Sequence, residues 1–166
     1  MPAAPEPTDD ERELLLRFLQ WKREQLLEKC DGLTEDQLRW TPEGGLVPLI
    51  GIVNHLTHTE WRWTNGRFLG EPFPPRTEEW RVPHDVPFAG VRARYLARAE
   101  ATAALVRSAS SLTDPALGRE GDGPPVHEIF GYTTPVDLRY CILHLIEETA
   151  QHVGHADATR ELLDQI

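Results

Sequence analysis

The stretch "EETAQHVGHAD" (residues 147–157) puts several ionisable side chains into a segment that otherwise has the pattern of a buried helix. Apolar residues recur around it at the three- and four-residue spacing of one helix face, namely Leu138, Ile142, Leu145, Ile146 and Val153. Carboxylates and imidazoles are costly to bury unless they are paired or bind a metal ion. The stretch therefore either faces water or holds a ligand.

Two helices place ionisable residues beside their apolar faces. At about 100° per residue, Glu148 and His152 border the apolar face of this helix. A second helix is predicted over residues 48–66, and His55 takes the same position relative to its apolar face. A Glu and a His one turn apart, with a His from a neighbouring helix, make the kind of metal site that helical bundles build. Two nitrogens and one oxygen leave coordination positions open, which is typical of a catalytic metal.

Each of these residues also has a simpler interpretation. A Glu-x-x-x-His pair is common on helix surfaces as a weak ion pair, and His55 alone would serve as a hydrogen-bonded histidine at the edge of the core. The same angular positions around the helices place His58 towards solvent and His155 beyond Glu148. The other ionisable residues of the stretch lie further round or outside the site: His144, Glu147 and Asp157.

A carboxylate on the second helix needs a partner. Glu60 falls within the apolar face, and a hydrogen bond to a core tyrosine or a backbone group is its simple interpretation. We expect it to act as an outer group of the metal site that orients His55 or a neighbouring residue.

Two residues of the loop 71–88 and three arginines of the third helix each have two interpretations. Trp80 and His84 either line a pocket or lie on the surface. The third helix carries three arginines that are expected to form a solvated face, with an anion clamp as the alternative: Arg92, Arg94 and Arg98.

Helical periodicity extends over most of the chain, and no segment alternates with a period of two. Thr8 and Glu11 have the form of a capping box for the first helix, and Thr34 and Gln37 form a second box before a short turn. Pro135 is expected at the first position of the last helix. The predicted fold is all-α, a four-helix bundle in a single domain (residues 1–166). It has a loose tail (1–7) and a first long helix that ends near residues 30–32. Three further long helices cover about 48–66, 88–111 and 134–163, and two long Pro/Gly-rich loops cover 71–88 and 112–133.

Composition excludes several classes of function. The net charge is −10, from 17 basic and 27 acidic residues, which argues against nucleic acid or an anionic membrane as the main partner. The sequence has no apolar run long enough to span a membrane and no signal-peptide pattern, so a cytoplasmic location is expected. Cys30 and Cys141 are far apart and are expected to be free, packed thiols.

Two stretches carry a family resemblance: "GIVNHLTHTEWRW" (51–63) and "HLIEETAQHVGHADATRELLD" (144–164). They resemble the signature helices of the DinB-like superfamily, in the branch of mycothiol-dependent maleylpyruvate isomerase and the mycothiol S-transferases. The resemblance implies a four-helix bundle with a divalent metal held by the second and fourth helices, on His55, Glu148 and His152. The isomerase has a further C-terminal domain, and this sequence ends at Ile166. Isomerase activity is therefore not expected.

The expected function is that of a metal-dependent thiol S-transferase. Zinc suits the mixed nitrogen and oxygen ligands, and nickel, iron or manganese are alternatives. A low-molecular-weight thiol such as mycothiol would attack a small electrophile, and a homodimer is one option for the assembly. Two other classes stay open: a hydrolase with a metal-bound water, and a non-catalytic metal-binding bundle of a stress response.

Overall fold

The computed structural model describes residues 2–42, 47–74, 79–119 and 125–165. Four long helices dominate it: α1 (Glu11–Cys30), α3 (Leu49–Trp61), α4 (Phe88–Ser108) and α6 (Leu138–Leu163). Two short helices lie in the connections, α2 (Glu35–Arg39) and α5 (Val126–Ile129). The predicted all-α fold, a helical bundle, is confirmed.

Helix starts differ from prediction where an aspartate lies closer to the first turn. Asp10 caps α1, because its carboxylate accepts from the backbone amides of Arg12 and Glu13; Thr8 only accepts from the amide of Asp10. The prediction of a capping box at Thr8 is therefore wrong, whereas the capping box predicted at Thr34 is present.

The last helix also begins later than Pro135 suggests. Asp137 caps α6 by accepting from the Tyr140 amide at 2.8 Å, and regular helix begins at Leu138. Its end at Leu163 agrees with the prediction.

The second long helix changes its pitch before it ends. After Trp61 the backbone continues without a break as a π-helical segment (Arg62–Phe68). The predicted helix over 48–66 is therefore α-helical in its first part and π-helical in its last turns. Such segments are uncommon and are frequently found at functional sites.

Helix packing brings α3 into contact with each of the other three long helices. The most extensive contacts are those of α1 with α6 and of α3 with α4, and α3 also contacts α6 and α1. The side of α4 that faces the core consists of the six residues its periodicity predicts: Phe88, Val91, Tyr95, Ala99, Thr102 and Val106. Within the described ranges, no helix is long and apolar enough to cross a membrane.

The expected tail runs along α1. Its described residues have no regular secondary structure. The carbonyl of Pro2 accepts from the Trp21 indole at 3.0 Å, and the carbonyl of Glu6 accepts from Arg17 at 3.1 Å.

A buried ion pair joins three helices at Glu60. The Arg23 guanidinium of α1 donates to both carboxylate oxygens at 2.7 and 2.6 Å, and the Thr102 hydroxyl of α4 donates to one of them at 2.8 Å. Glu60 and Arg23 are 1% and 2% exposed, so the pair is shielded from water. The expectation that Glu60 orients His55 is not supported, because these contacts use both oxygens for helix packing.

Removing the cation of this pair should destabilise the fold strongly. Arg23→Met leaves the Glu60 carboxylate buried without its main partner, and we expect a loss of about 3–5 kcal/mol in the free energy of unfolding. Urea titration followed by circular dichroism measures it. Arg107→Met, which breaks the exposed pair with Glu13, is the matched control and should cost less than about 1 kcal/mol. Equal losses in the two variants would contradict the role assigned to the buried pair, and Arg23→Met/Glu60→Leu should recover much of the stability.

Candidate metal centre

Three side chains converge where α3 crosses α6. His55 lies in the middle of α3, and Glu148 and His152 lie one turn apart on α6. The Glu148 Oε1 atom is 3.3 Å from His55 Nε2 and 3.5 Å from His152 Nε2. One ligand atom from each residue lies within 4.8 Å of the others, a spacing that a single metal ion can bridge. The structure thus brings together the three residues that the helix wheels select.

Burial and hydrogen bonding favour the protonation states that a metal ion needs. Burial lowers the pKa of His55, which favours the neutral imidazole. Hydrogen bonds from His152 and His55 hold the pKa of the Glu148 carboxyl far below its usual range, so that group is ionised. Neutral imidazole and ionised carboxylate are the forms that coordinate metals.

The donor set fits a divalent transition metal. Two imidazole nitrogens and one carboxylate oxygen suit zinc, nickel, iron or manganese. Three protein ligands leave further coordination positions for a small molecule, since catalytic zinc sites keep one position open. His55 and His152 are 8% and 7% exposed, and the Glu148 side chain is 22% exposed, so the carboxylate lies on the side open to solvent.

Trp80 covers one face of this cluster. Its indole stacks on the His55 ring with 3.7 Å between the centroids and 10° between the planes, and it lies 5.5 Å from the His152 ring. Gly51 permits this approach, because a Cβ there would lie only 2.8 Å from the Trp80 carbonyl oxygen. Of the two interpretations of Trp80, the structure therefore supports a residue that lines the site.

Glu79 approaches the other nitrogen of the His55 ring. That nitrogen, Nδ1, is buried without a hydrogen bond and lies 3.7 Å from Glu79 Oε2. Glu79 is itself buried, forms an ion pair with Arg62 and accepts from Asn54 through its backbone carbonyl. A carboxylate beside the distal nitrogen of a metal-binding histidine fixes the ring and its tautomer. Sequence reasoning missed Glu79; its place next to Trp80 was the available signal.

The remaining histidines lie around the cluster. His155 is exposed, with Nδ1 3.3 Å from His152 Nδ1. His144 packs on Trp63 with 4.0 Å between the ring centroids. His58 was expected to face solvent, and this is wrong: it is half-buried in a groove between α3 and α4, where burial lowers its pKa.

The acidic residues outside the cluster behave as expected. Glu147 is exposed, and Asp157 forms an ion pair with Lys29 on α1. His84, in the loop 71–88, is exposed.

Neither cysteine can supply a reactive thiol in the folded state. Cys30 and Cys141 are both buried and unpaired. Burial raises the pKa of each thiol to about 12. The expectation of free, packed thiols is confirmed, and any thiol that reacts at this site has to come from outside the chain.

Comparison with known proteins gives a family and a fold. The family model described as mycothiol S-transferase matches residues 14–165, which include α1 from its fourth residue and the other three long helices in full. No curated protein shows a significant match. A solved structure of a conserved protein from Enterococcus faecalis is similar, with a TM-score of 0.66 and 15% identity over 96% of this chain and 100% of that one. At this identity the likeness shows the fold alone.

The buried thiols should resist modification in the native protein. At pH 8, we expect no fast reaction of Cys30 or Cys141 with Ellman's reagent, because their pKa values of about 12 leave almost no thiolate and burial blocks access. After addition of guanidinium chloride, two thiols per chain should react at once. A rapid reaction in the native state would contradict this burial.

Proposed function

The chain belongs to the mycothiol S-transferase family, and we propose on this premise that it is a metal-dependent transferase acting on a low-molecular-weight thiol, with mycothiol as the first choice. The observation that carries the proposal is the convergence of His55, Glu148 and His152 from two helices. The family supports the thiol and the transfer reaction, and the cluster supports the metal.

The metal ligands in this proposal are His55, Glu148 and His152. Zinc is the preferred ion because imidazole and carboxylate ligands with an open position are the usual set of catalytic zinc. When bound, such an ion lowers the pKa of a coordinated thiol, which would otherwise stay mostly protonated at neutral pH. The Glu148 carboxylate would offset part of the positive charge.

Residues around the ligands hold them in place. Glu79 would orient the His55 ring through Nδ1, which leaves Nε2 pointing at the cluster. Trp80 stacks on the same ring and keeps water from that face. Thr59 Oγ1 lies 3.2 Å from His55 Nε2 and would have to give up this contact when an ion is present.

The reaction transfers the sulfur of the thiol to an electrophilic carbon. A carbon–sulfur bond forms, the bond to the leaving group breaks, and the thiol proton leaves to solvent. Because Cys30 and Cys141 are buried, the chain itself offers no nucleophilic sulfur. The cytoplasmic location, where such thiols stay reduced, and the homodimer remain predictions.

The first test of this proposal is the metal content of the ligand variants. Purified protein reconstituted with zinc should hold one ion per chain by elemental analysis, and His55→Ala and His152→Ala should lose most of it. The matched controls His58→Ala and His155→Gln should keep it. Glu79→Gln should weaken zinc binding about 10–100-fold, as changes beside a metal-binding histidine commonly do. Full metal content in His152→Ala would remove that residue from the site.

The second test separates thiol transfer from metal binding. We expect conjugation of monochlorobimane to mycothiol by the wild type, loss of this activity after chelation and recovery with zinc. Glu148→Gln should bind zinc more weakly because it removes a charge, and Glu148→His should still bind it. Glu148→His should also shift the pH profile of transfer downward, because the centre becomes more positive. Metal-dependent hydrolysis of esters without any thiol would overturn the transferase assignment.

A further inference from the structure

A second concave site lies on the other side of the segment that carries Trp80. It is a groove of about 690 Å³ lined by α3, α4 and described residues of the loop 71–88 (Pro74 and residues 81–83), and none of the three candidate metal ligands lines it. Trp80 stacks on His55, whereas the next two residues, Arg81 and Val82, line the groove. The groove and the candidate metal centre are therefore neighbours with a shared wall.

The charge of the groove is opposite to that of the chain. Three arginines line it, Arg81 from the loop and Arg94 and Arg98 from α4, and none of the described lining residues is acidic. The chain as a whole has ten more acidic than basic residues. Like charges one turn apart destabilise a helix, so the pair Arg94 and Arg98 costs stability where no anion lies between them.

The arginines of α4 do not share one environment. Arg92 donates to Asp31 at 3.2 Å, a carboxylate next to the end of α1, and it does not line the groove. Arg98 donates to the amide oxygen of Asn65 at 2.6 Å, which holds its guanidinium without neutralising it. Of the three arginines expected to form a solvated face, Arg92 pairs with a carboxylate, whereas Arg94 and Arg98 line the groove.

The described lining also has an apolar part beside the polar residues Asn54, Thr57 and His58. The Trp61 indole and the side chains of Val82 and Pro83 form a wall beside the guanidinium groups. Removing apolar surface from water is favourable, and arginine binds carboxylates and related anions through paired hydrogen bonds. A ligand that uses both the apolar surface and the arginines has a ring at one end and an anionic group at the other.

We propose that this groove binds a small amphipathic anion, an aromatic or alicyclic carboxylate or sulfonate, at a site distinct from the candidate metal centre. The anionic group lies between Arg94 and Arg98, and the ring packs against Trp61. The proposal stands on the lining of the groove and does not depend on the transferase activity.

The test is fluorescence titration of the full chain with 8-anilino-1-naphthalenesulfonate, and with N-phenyl-1-naphthylamine as the neutral analogue. Arg94→Gln/Arg98→Gln should weaken binding of the sulfonate at least about tenfold, the loss expected for a charge-assisted hydrogen bond. It should leave binding of the neutral probe within about twofold, as the apolar wall is unchanged. Arg92→Gln is the matched control and should change neither.

A third variant distinguishes the groove from other apolar surfaces. Trp61→Leu should weaken both probes, because it removes the flat wall on which either ring packs. Circular dichroism melting confirms that each variant is folded. Should Trp61→Leu fail to fold, the arginine variants still decide, because Arg94 is exposed and Arg98 is only partly buried. Equal sulfonate affinity in the wild type and in Arg94→Gln/Arg98→Gln would overturn the proposal.

Discussion

A carboxylate without access to water sets the arrangement of three of the long helices. The charge of Glu60 is matched by the Arg23 guanidinium from α1, and the Thr102 hydroxyl from α4 donates to one of its oxygens. A buried ion pair adds little net stability but penalises any packing that breaks it. The register of α3 against α1 and α4 follows, and with it the direction in which His55, five residues earlier on α3, points.

Periodicity predicted the parts of the molecule that are governed by burial. The core positions of α4 and the inward placement of His55, Glu148 and His152 follow from which residues are apolar and from 3.6 residues per turn. Capping was harder to predict because Thr8 and Pro135 compete with nearby aspartates that reach the first amides better. The pairing of Glu60 with Arg23 joins residues 37 apart in sequence, and no local pattern reports it.

The contacts of Glu79 and Trp80 with His55 also depend on tertiary packing, so local sequence could not predict them. Glu79 and Trp80 reach His55 because the loop backbone lies against α3 at Gly51, and this contact depends on the packed helix rather than on loop sequence. The same segment faces the candidate metal centre with one side and the arginine groove with the other. Glu79 and Trp80 contact His55, whereas the following residues Arg81 and Val82 line the groove, so one short segment serves both sites.

The separation of the candidate ligands along the chain has a consequence for folding. His55 and Glu148 are 93 positions apart, so an ion that binds both would act as a cross-link that closes a very long loop. Because only the native state presents the ligands together, an ion that binds them stabilises the folded chain by mass action. Each tenfold increase in free metal above the dissociation constant then adds about 1.4 kcal/mol to stability. The thermal midpoint of the protein would thereby report the availability of the metal in its surroundings.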